Sequence, residues 1–236
     1  MVAVTVLMVT GTGTEVGKTV VTAAVAALAR AAGQRVAVVK PAQTGVGPTG
    51  RGDVDVVAGL VPGVTTVELA RYPDPLAPAT AAARCGAPAV RAEHVADTVW
   101  GLVGEHDLVL VEGAGGLLVR LNPEGETLAD AAVLLSAPVL VVARPDLGTL
   151  NATALTGEAL RTRGLHPVGV VVGSWPQRPD LAMRCNLTDL PDMGAGPLAG
   201  AVPEGTGSLG PDGFAEAASR SLAPGLGGTW AVDAMR

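Results

Sequence analysis

An apolar, β-branched run over residues 2–9 leads into Gly11-Thr12-Gly13-Thr14-Glu15-Val16-Gly17-Lys18-Thr19, and from Lys18 onward the pattern becomes alanine-rich and helical. This order of strand, glycine loop and helix constrains the chain more than any other stretch. A glycine loop that opens a helix turns successive backbone N–H groups inward at the positive end of the helix dipole, where a polyphosphate binds. In such a loop Lys18 reaches the β- and γ-phosphates and the Thr19 hydroxyl meets Mg²⁺. The spacing is unusual: five residues separate Gly11 from Gly17, where the common loop has four.

The rest of the chain repeats the alternation. Strands are expected at residues 35–39, 108–111, 139–143, 168–172 and 198–202, with helices at 20–32, up to about 60, 92–103, up to 163 and 212–222. The composition is 48% hydrophobic but only 2% aromatic, so the core must be built from Val, Leu and Ala, which suits parallel strands buried on both faces. Strands spaced by helices imply right-handed crossovers and one α/β domain, a mostly parallel sheet flanked by helices. Residues 71–78 hold three prolines and are expected to form an extended loop, and the chain beyond 222 a loose tail. A net charge of −6 argues against a general nucleic-acid or acidic-membrane binder. No stretch is long and apolar enough to span a bilayer. The N-terminal run lacks a basic flank and reads as a core strand, not a signal peptide, which places the chain in the cytoplasm. Cys85 and Cys185 lie far apart without a CxxC pattern and are expected to be packing residues.

Polar chemistry gathers at the carboxyl ends of the strands, the edge where open α/β sheets place ligands. Lys40-Pro41-Ala42-Gln43-Thr44-Gly45 follows the second strand and Glu112-Gly113-Ala114-Gly115-Gly116 the third. An acid ending a strand as apolar as residues 108–111 is costly unless it meets a cation or donors. Two lysines plus Mg²⁺ held by Thr19, Glu112 and Asp55 from the intervening loop would neutralise a triphosphate and its transferring phosphoryl group. Asp53 and Asp55 also fit the acids of a helix start, and Asp53 reads as an N-cap. His94, His106 and His166 fall outside the glycine loops, which leaves general-base histidine chemistry unsupported.

Taken in order, the phosphate loop with its extra residue, Lys40-Pro41-Ala42-Gln43-Thr44-Gly45, Val111-Glu112-Gly113-Ala114-Gly115-Gly116 and Leu147-Gly148-Thr149-Leu150-Asn151 resemble the dethiobiotin synthetase family of the P-loop NTPase superfamily, over residues 1–205 or so. The resemblance implies ATP- and Mg²⁺-dependent closure of a cyclic urea from 7,8-diaminononanoate and CO₂, by way of a carbamate and a carbamic-phosphoric anhydride. It implies that Lys18, Lys40 and Thr14 act at the reacting groups and that Thr19, Asp55 and Glu112 hold Mg²⁺. Nucleotide contacts would come from Gly13, Thr14, Glu15, Val16, Gly17, Lys18, Thr19 and Val20, from Gly113, Ala114 and Gly115 beside Glu112, and, around the base, from Gly173, Ser174, Val202, Pro203 and Glu204. Thr14, Lys40 and Thr44 would meet the diamine. The family is homodimeric, and Gly148, Thr149, Leu150 and Asn151 of one subunit would bind the substrate carboxylate for the other. A helix N-terminus with free N–H groups suits that task, although Thr149 or Asn151 could simply cap the helix.

Two positions depart from the family's pattern. Gly13 stands where Asp is frequent, and no Asn able to read adenine accompanies Gly173-Ser174, which Trp175 and Pro176 follow; relaxed base selectivity is expected. Two other readings compete. Amide-forming cobyrinic acid diamide synthetases add a glutaminase domain with a nucleophilic Cys, for which this chain has neither room nor residue. Partitioning ATPases carry an additional Lys early in the phosphate loop, and residues 11–16 contain none.

Overall fold

The computed structural model describes residues 6–231. The chain opens with β1 (Val6–Gly11), α1 (Lys18–Ala31), β2 (Val36–Lys40) and the short β3 (Gln43–Thr44), then α2 (Asp53–Leu60), β4 (Thr65–Glu68) and β5 (Arg71–Tyr72). Next come α3 (Pro78–Cys85), α4 (Ala92–Val103), β6 (Leu108–Gly116), α5 (Leu128–Leu135), β7 (Val139–Ala143) and α6 (Thr149–Thr162). The last elements are β8 (Pro167–Trp175), α7 (Leu181–Asp189), β9 (Leu198–Pro203) and α8 (Pro211–Ser221). Seven strands form one sheet in the order β4-β2-β6-β1-β7-β8-β9, every pairing parallel, while β3 and β5 pair separately.

Each strand of the sheet centre is buried on both faces. Leu7, Val9, Val36, Val38, Leu108 and Leu110 pack against α1, α2 and α8. Met8, Ala37, Val39, Val109 and Val111 point the other way, towards α3, α4 and α5. This is the period-two alternation of a strand expressed in a sheet covered on both sides, and it accounts for the near-continuous apolar runs.

The α/β class and the parallel sheet agree with the sequence, but several segments differ. The expected first strand starts among residues 1–5, which lie outside the described part. β6 runs on to Gly116, and β4, α3, α5 and α7 were not foreseen. The 71–78 segment is not all loop: Arg71 and Tyr72 pair with Gln43 and Thr44, and Pro78 occupies the first turn of α3, where a missing N–H costs nothing. α5 starts from a capping box in which Thr127 and Asp130 satisfy one another's orphan groups. Over residues 223–231 the chain is anchored, and the rest of the expected loose tail lies outside the described residues. Ala223 N–H donates to Ala199 O, Trp230 N–H donates to Leu222 O, and the Trp230 side chain is buried. Both cysteines are exposed and so are not packing residues.

Candidate active site

Strand alternation delivers the two central side chains. Val36 and Val38 face α1, so Lys40 at the end of β2 does as well; Leu108 and Leu110 face α1, so Glu112 follows them. β2 and β6 are neighbours with Val39 opposite Val111, which brings the next residues, Lys40 and Glu112, together at the carboxyl edge. Lys40 Nζ lies 2.9 Å from Glu112 Oε1 and donates also to Gly113 O at 3.2 Å. The Thr19 hydroxyl, in the first turn of α1, donates to the same Glu112 oxygen at 2.9 Å. Glu112 is 1% exposed and Lys40 3%. Burial disfavours the charge on Lys40 more than any single neighbour favours it, but Glu112 and Asp53 together outweigh burial and hold its pKa above the ordinary lysine value.

The phosphate loop supplies the facing wall. Glu15 (φ 59) and Gly17 (φ 93) both adopt left-handed backbone, and Gly17 caps α1 without any side-chain hydrogen bond. The first-turn N–H groups therefore lack a side-chain cap, as an anion site requires. Lys18 Nζ curls back onto Gly13 O at 2.9 Å, and Arg144, just past β7, donates to Thr14 O at 2.9 Å. Desolvation, with Lys40 nearby, lowers the Lys18 pKa to about 8, against the opposing pull of Glu112 and Asp53. The loop rests on the end of β8 at a point where neither chain has a side chain: a Cβ on Gly17 or on Gly173 would overlap the other strand's backbone.

The two acids of the intervening loop stand differently from the sequence expectation. Asp53 is not an N-cap. Gly52 holds that position, and the Asp53 carboxylate meets Lys40 Nζ at 2.5 Å. Asp55, expected as a metal ligand, instead closes the capping box by accepting from Gly52 N–H at 2.8 Å, and it contacts Arg71 at 3.5 Å. Those donors hold its carboxyl below the usual range, with the Gly52 N–H the larger influence. Its side chain is half exposed and does not line the cleft.

The resulting cleft encloses about 940 Å³. Lys18, Thr19, Lys40, Asp53 and Glu112 form its floor, with Thr14, Thr44, Ala114 and Gly115 around them. The donor set fits a hard divalent cation such as Mg²⁺: one hydroxyl and two carboxylates, all oxygen, with room for phosphate oxygens. Among the described residues no cluster of three or more His, Cys, Asp or Glu is present, so such an ion would share its coordination with the nucleotide.

Residues 5–209 match the family described as an AAA domain. Over 229 residues, 97% of this chain and 96% of the relative, the sequence is 63% identical to the ATP-dependent dethiobiotin synthetase of Streptomyces coelicolor. It is 64% identical to that of Saccharopolyspora erythraea over 95% of this chain and 98% of the relative. The chain belongs to the dethiobiotin synthetase family. Solved structures bear on its fold alone: the cell division ATPase MinD of Pyrococcus furiosus superposes with a TM-score of 0.55 at 19% identity, covering 91% of this chain and 97% of that one. A ParA family ATPase from Chlorobium tepidum gives 0.56 at 12% identity, covering 95% and 96%.

The remaining family positions fall in three places. Glu15, Gly17, Val20, Gly173, Ser174 and Pro203 line the far end of the cleft together with Gly205, Thr206 and Gly207, which sequence reasoning missed. Val202 is buried in the sheet, and Glu204 and Val16 border a smaller adjoining pocket with Arg144 and Asp146. Gly148, Thr149, Leu150 and Asn151 do not line the cleft. Gly148 (φ 98) caps α6 with no side-chain hydrogen bond, so neither Thr149 nor Asn151 is a cap, and Thr149 Oγ1 is buried without a partner. Arg144, overlooked in the sequence, could have been found by its place just beyond β7 at the carboxyl edge. Arg71 gave no such signal.

Proposed function

We propose that this synthetase closes the ureido ring of dethiobiotin from 7,8-diaminononanoate, CO₂ and ATP in the cytoplasm, as a homodimer. One observation carries the reading: two buried lysines, a threonine hydroxyl and two carboxylates meet at the mouth of a glycine loop with uncapped N–H groups. In this assignment one substrate amine adds to CO₂, giving a carbamate and releasing a proton. A carbamate oxygen then attacks the γ-phosphorus and ADP leaves; the second amine attacks the carbamoyl carbon, phosphate leaves with the amine's proton passing to it or to water, and the ring closes. Lys18 and the loop N–H groups hold the β- and γ-phosphates in line. Lys40, with Thr14 and Thr44, faces the carbamate and offsets the charge that develops on the transferring group. Thr19, Glu112 and Asp53 would hold Mg²⁺, which would supply positive charge against the phosphates. No general base is required, because positioning and fixed electrostatics account for most of such an acceleration.

The uncapped first turn of α6 suits a carboxylate supplied across a dimer. Leu147, 86% exposed, adjoins it, and Leu155 and Leu181 lie exposed on α6 and the α7 packed beside it, an apolar surface that a second subunit would cover. The base lies against Ser174, Pro203 and Thr206. Without an amide to read adenine, the site forgoes hydrogen-bond discrimination of the kind that reaches about 10⁴-fold elsewhere. Incubation with diamine, bicarbonate, Mg²⁺ and ATP should yield dethiobiotin by mass spectrometry, with CTP and GTP supporting rates within about tenfold of ATP. Nucleotide hydrolysis without ring closure would overturn the reading; an ATP preference of several orders of magnitude would overturn the base assignment alone.

A further inference from the structure

Gly52, immediately before α2, has no room for a side chain. A Cβ there would stand 2.9 Å from Arg71 Nη2, 3.0 Å from Gln43 Oε1 and 3.0 Å from Glu68 Oε2. Polar groups from β3, β4 and β5 thus close around one backbone position. Gln43 is 6% exposed and spends both its side-chain hydrogen bonds on backbone: Oε1 accepts from Asp53 N–H at 2.7 Å and Nε2 donates to Thr44 O at 3.2 Å. Arg71 is clamped by Glu68 through Nε at 2.6 Å and Nη2 at 3.0 Å, and its Nη1 donates to the carbonyls of Gly47 and Gly50. The loop before α2 is therefore tied to the β3–β5 pair at both its ends.

This tie fixes the rotation of α2. Successive helical residues are turned by about 100°, so side chains two apart, as at 53 and 55, point to nearly opposite sides and only one of them can face β2. As held, Asp53 faces Lys40 and Asp55 faces Arg71. We propose that Gln43 and Arg71 are positioning residues that set the rotation of α2 and so deliver the Asp53 carboxylate to the divalent-cation site beside Lys40 and Glu112. The inference rests on the reading above that a cation is held there with the nucleotide.

The test uses the full-length enzyme with ADP and Mn²⁺ as a paramagnetic probe, the free ion being followed by electron paramagnetic resonance. Gln43→Leu, which removes the acceptor, should weaken Mn²⁺ binding about tenfold, the scale on which groups behind metal ligands act. The Mg²⁺ concentration for half-maximal rate should rise in parallel while the KM for the diamine stays put. Gln43→Glu keeps an acceptor at the same place and should retain affinity within about threefold of wild type. Arg71→Met should weaken Mn²⁺ as Gln43→Leu does, and melting curves on each variant identify any that fail to fold. Wild-type Mn²⁺ affinity in folded Gln43→Leu would overturn the positioning role while leaving the cation site intact. A wild-type enzyme that takes up no Mn²⁺ with ADP would overturn the site and the positioning role together.

Discussion

The two walls of the cleft grip their contents with different material. The 11–19 wall works through backbone: N–H groups at an uncapped helix start, two left-handed residues, and glycines at 11 and 17 where a Cβ would collide with neighbouring atoms. The 40–55 wall works through side chains, with Lys40 between Glu112 and Asp53, and Asp53 presented by a helix that Gln43 and Arg71 hold in rotation. Apart from Lys18 and Thr19, which turn to the floor of the cleft, the backbone wall depends on what is missing at a few positions. A side-chain wall has the opposite sensitivity, since each charge there is balanced by a named partner.

Substitutions tell the two walls apart. The largest effect is expected from Lys40→Met, which strands Glu112 in a buried site beside Asp53. Removing one member of a buried ion pair costs about 3 kcal/mol of stability, and losing a preoriented cation at the reacting group should lower kcat by about 10³-fold, measured by denaturant melts and single-turnover assays. On the backbone wall, Gly17→Ala should abolish most nucleotide binding, by about 10²-fold in calorimetry, because it meets the Gly173 backbone at a positive φ. Gly13→Ala is the control: its Cβ would have no neighbour nearer than 4.0 Å, and nucleotide affinity should hold within about twofold. If both glycines tolerate alanine alike, the backbone account of that wall fails. Next in size, Asp53→Asn should weaken Mn²⁺ about tenfold in the ADP complex, and Asp55→Asn, which keeps an acceptor for Gly52 N–H, by less than about twofold; the reverse ranking would restore Asp55 as the ligand. The smallest signal is a proton. With its pKa lowered to about 8, Lys18 is partly neutral above that pH in the free enzyme, and a bound polyphosphate raises its pKa again. Nucleotide binding at pH 8.5 or so should take up a fraction of a proton that vanishes near pH 6, read by calorimetry in buffers of different ionisation enthalpy.

The same division separates what could be read from the sequence from what could not. Lys18, Lys40 and Glu112 were legible because strand alternation and a strand end are local facts, and a charged residue closing an apolar strand stands out. Which of Asp53 and Asp55 faces Lys40 is not legible locally, because it depends on where α2 starts. Gln43 and Arg71, ten or more residues away, make that choice through contacts that no local pattern carries. The 71–78 prolines concealed a two-residue strand whose partner lies in another loop. The tail after α8 looked loose because its anchors, Leu222 and Ala199, are brought near only by the completed sheet. α5 did leave a trace, a threonine with an acid three residues on, but its apolar, alanine-rich run is too short to distinguish helix from strand by period.

The contact between Gly17 and Gly173 has a consequence for how this enzyme can diversify. On the assignment proposed above, it welds the part that would hold phosphates, common to every nucleotide, to the start of the part that would meet the base, which differs among them. Inheritance can therefore rewrite the second only from Ser174 onward, through Pro203 to Gly207, since any larger residue at 173 would dislodge the first. A chimera that borrows a base-reading segment from another nucleotide-using enzyme must therefore make its junction after that glycine.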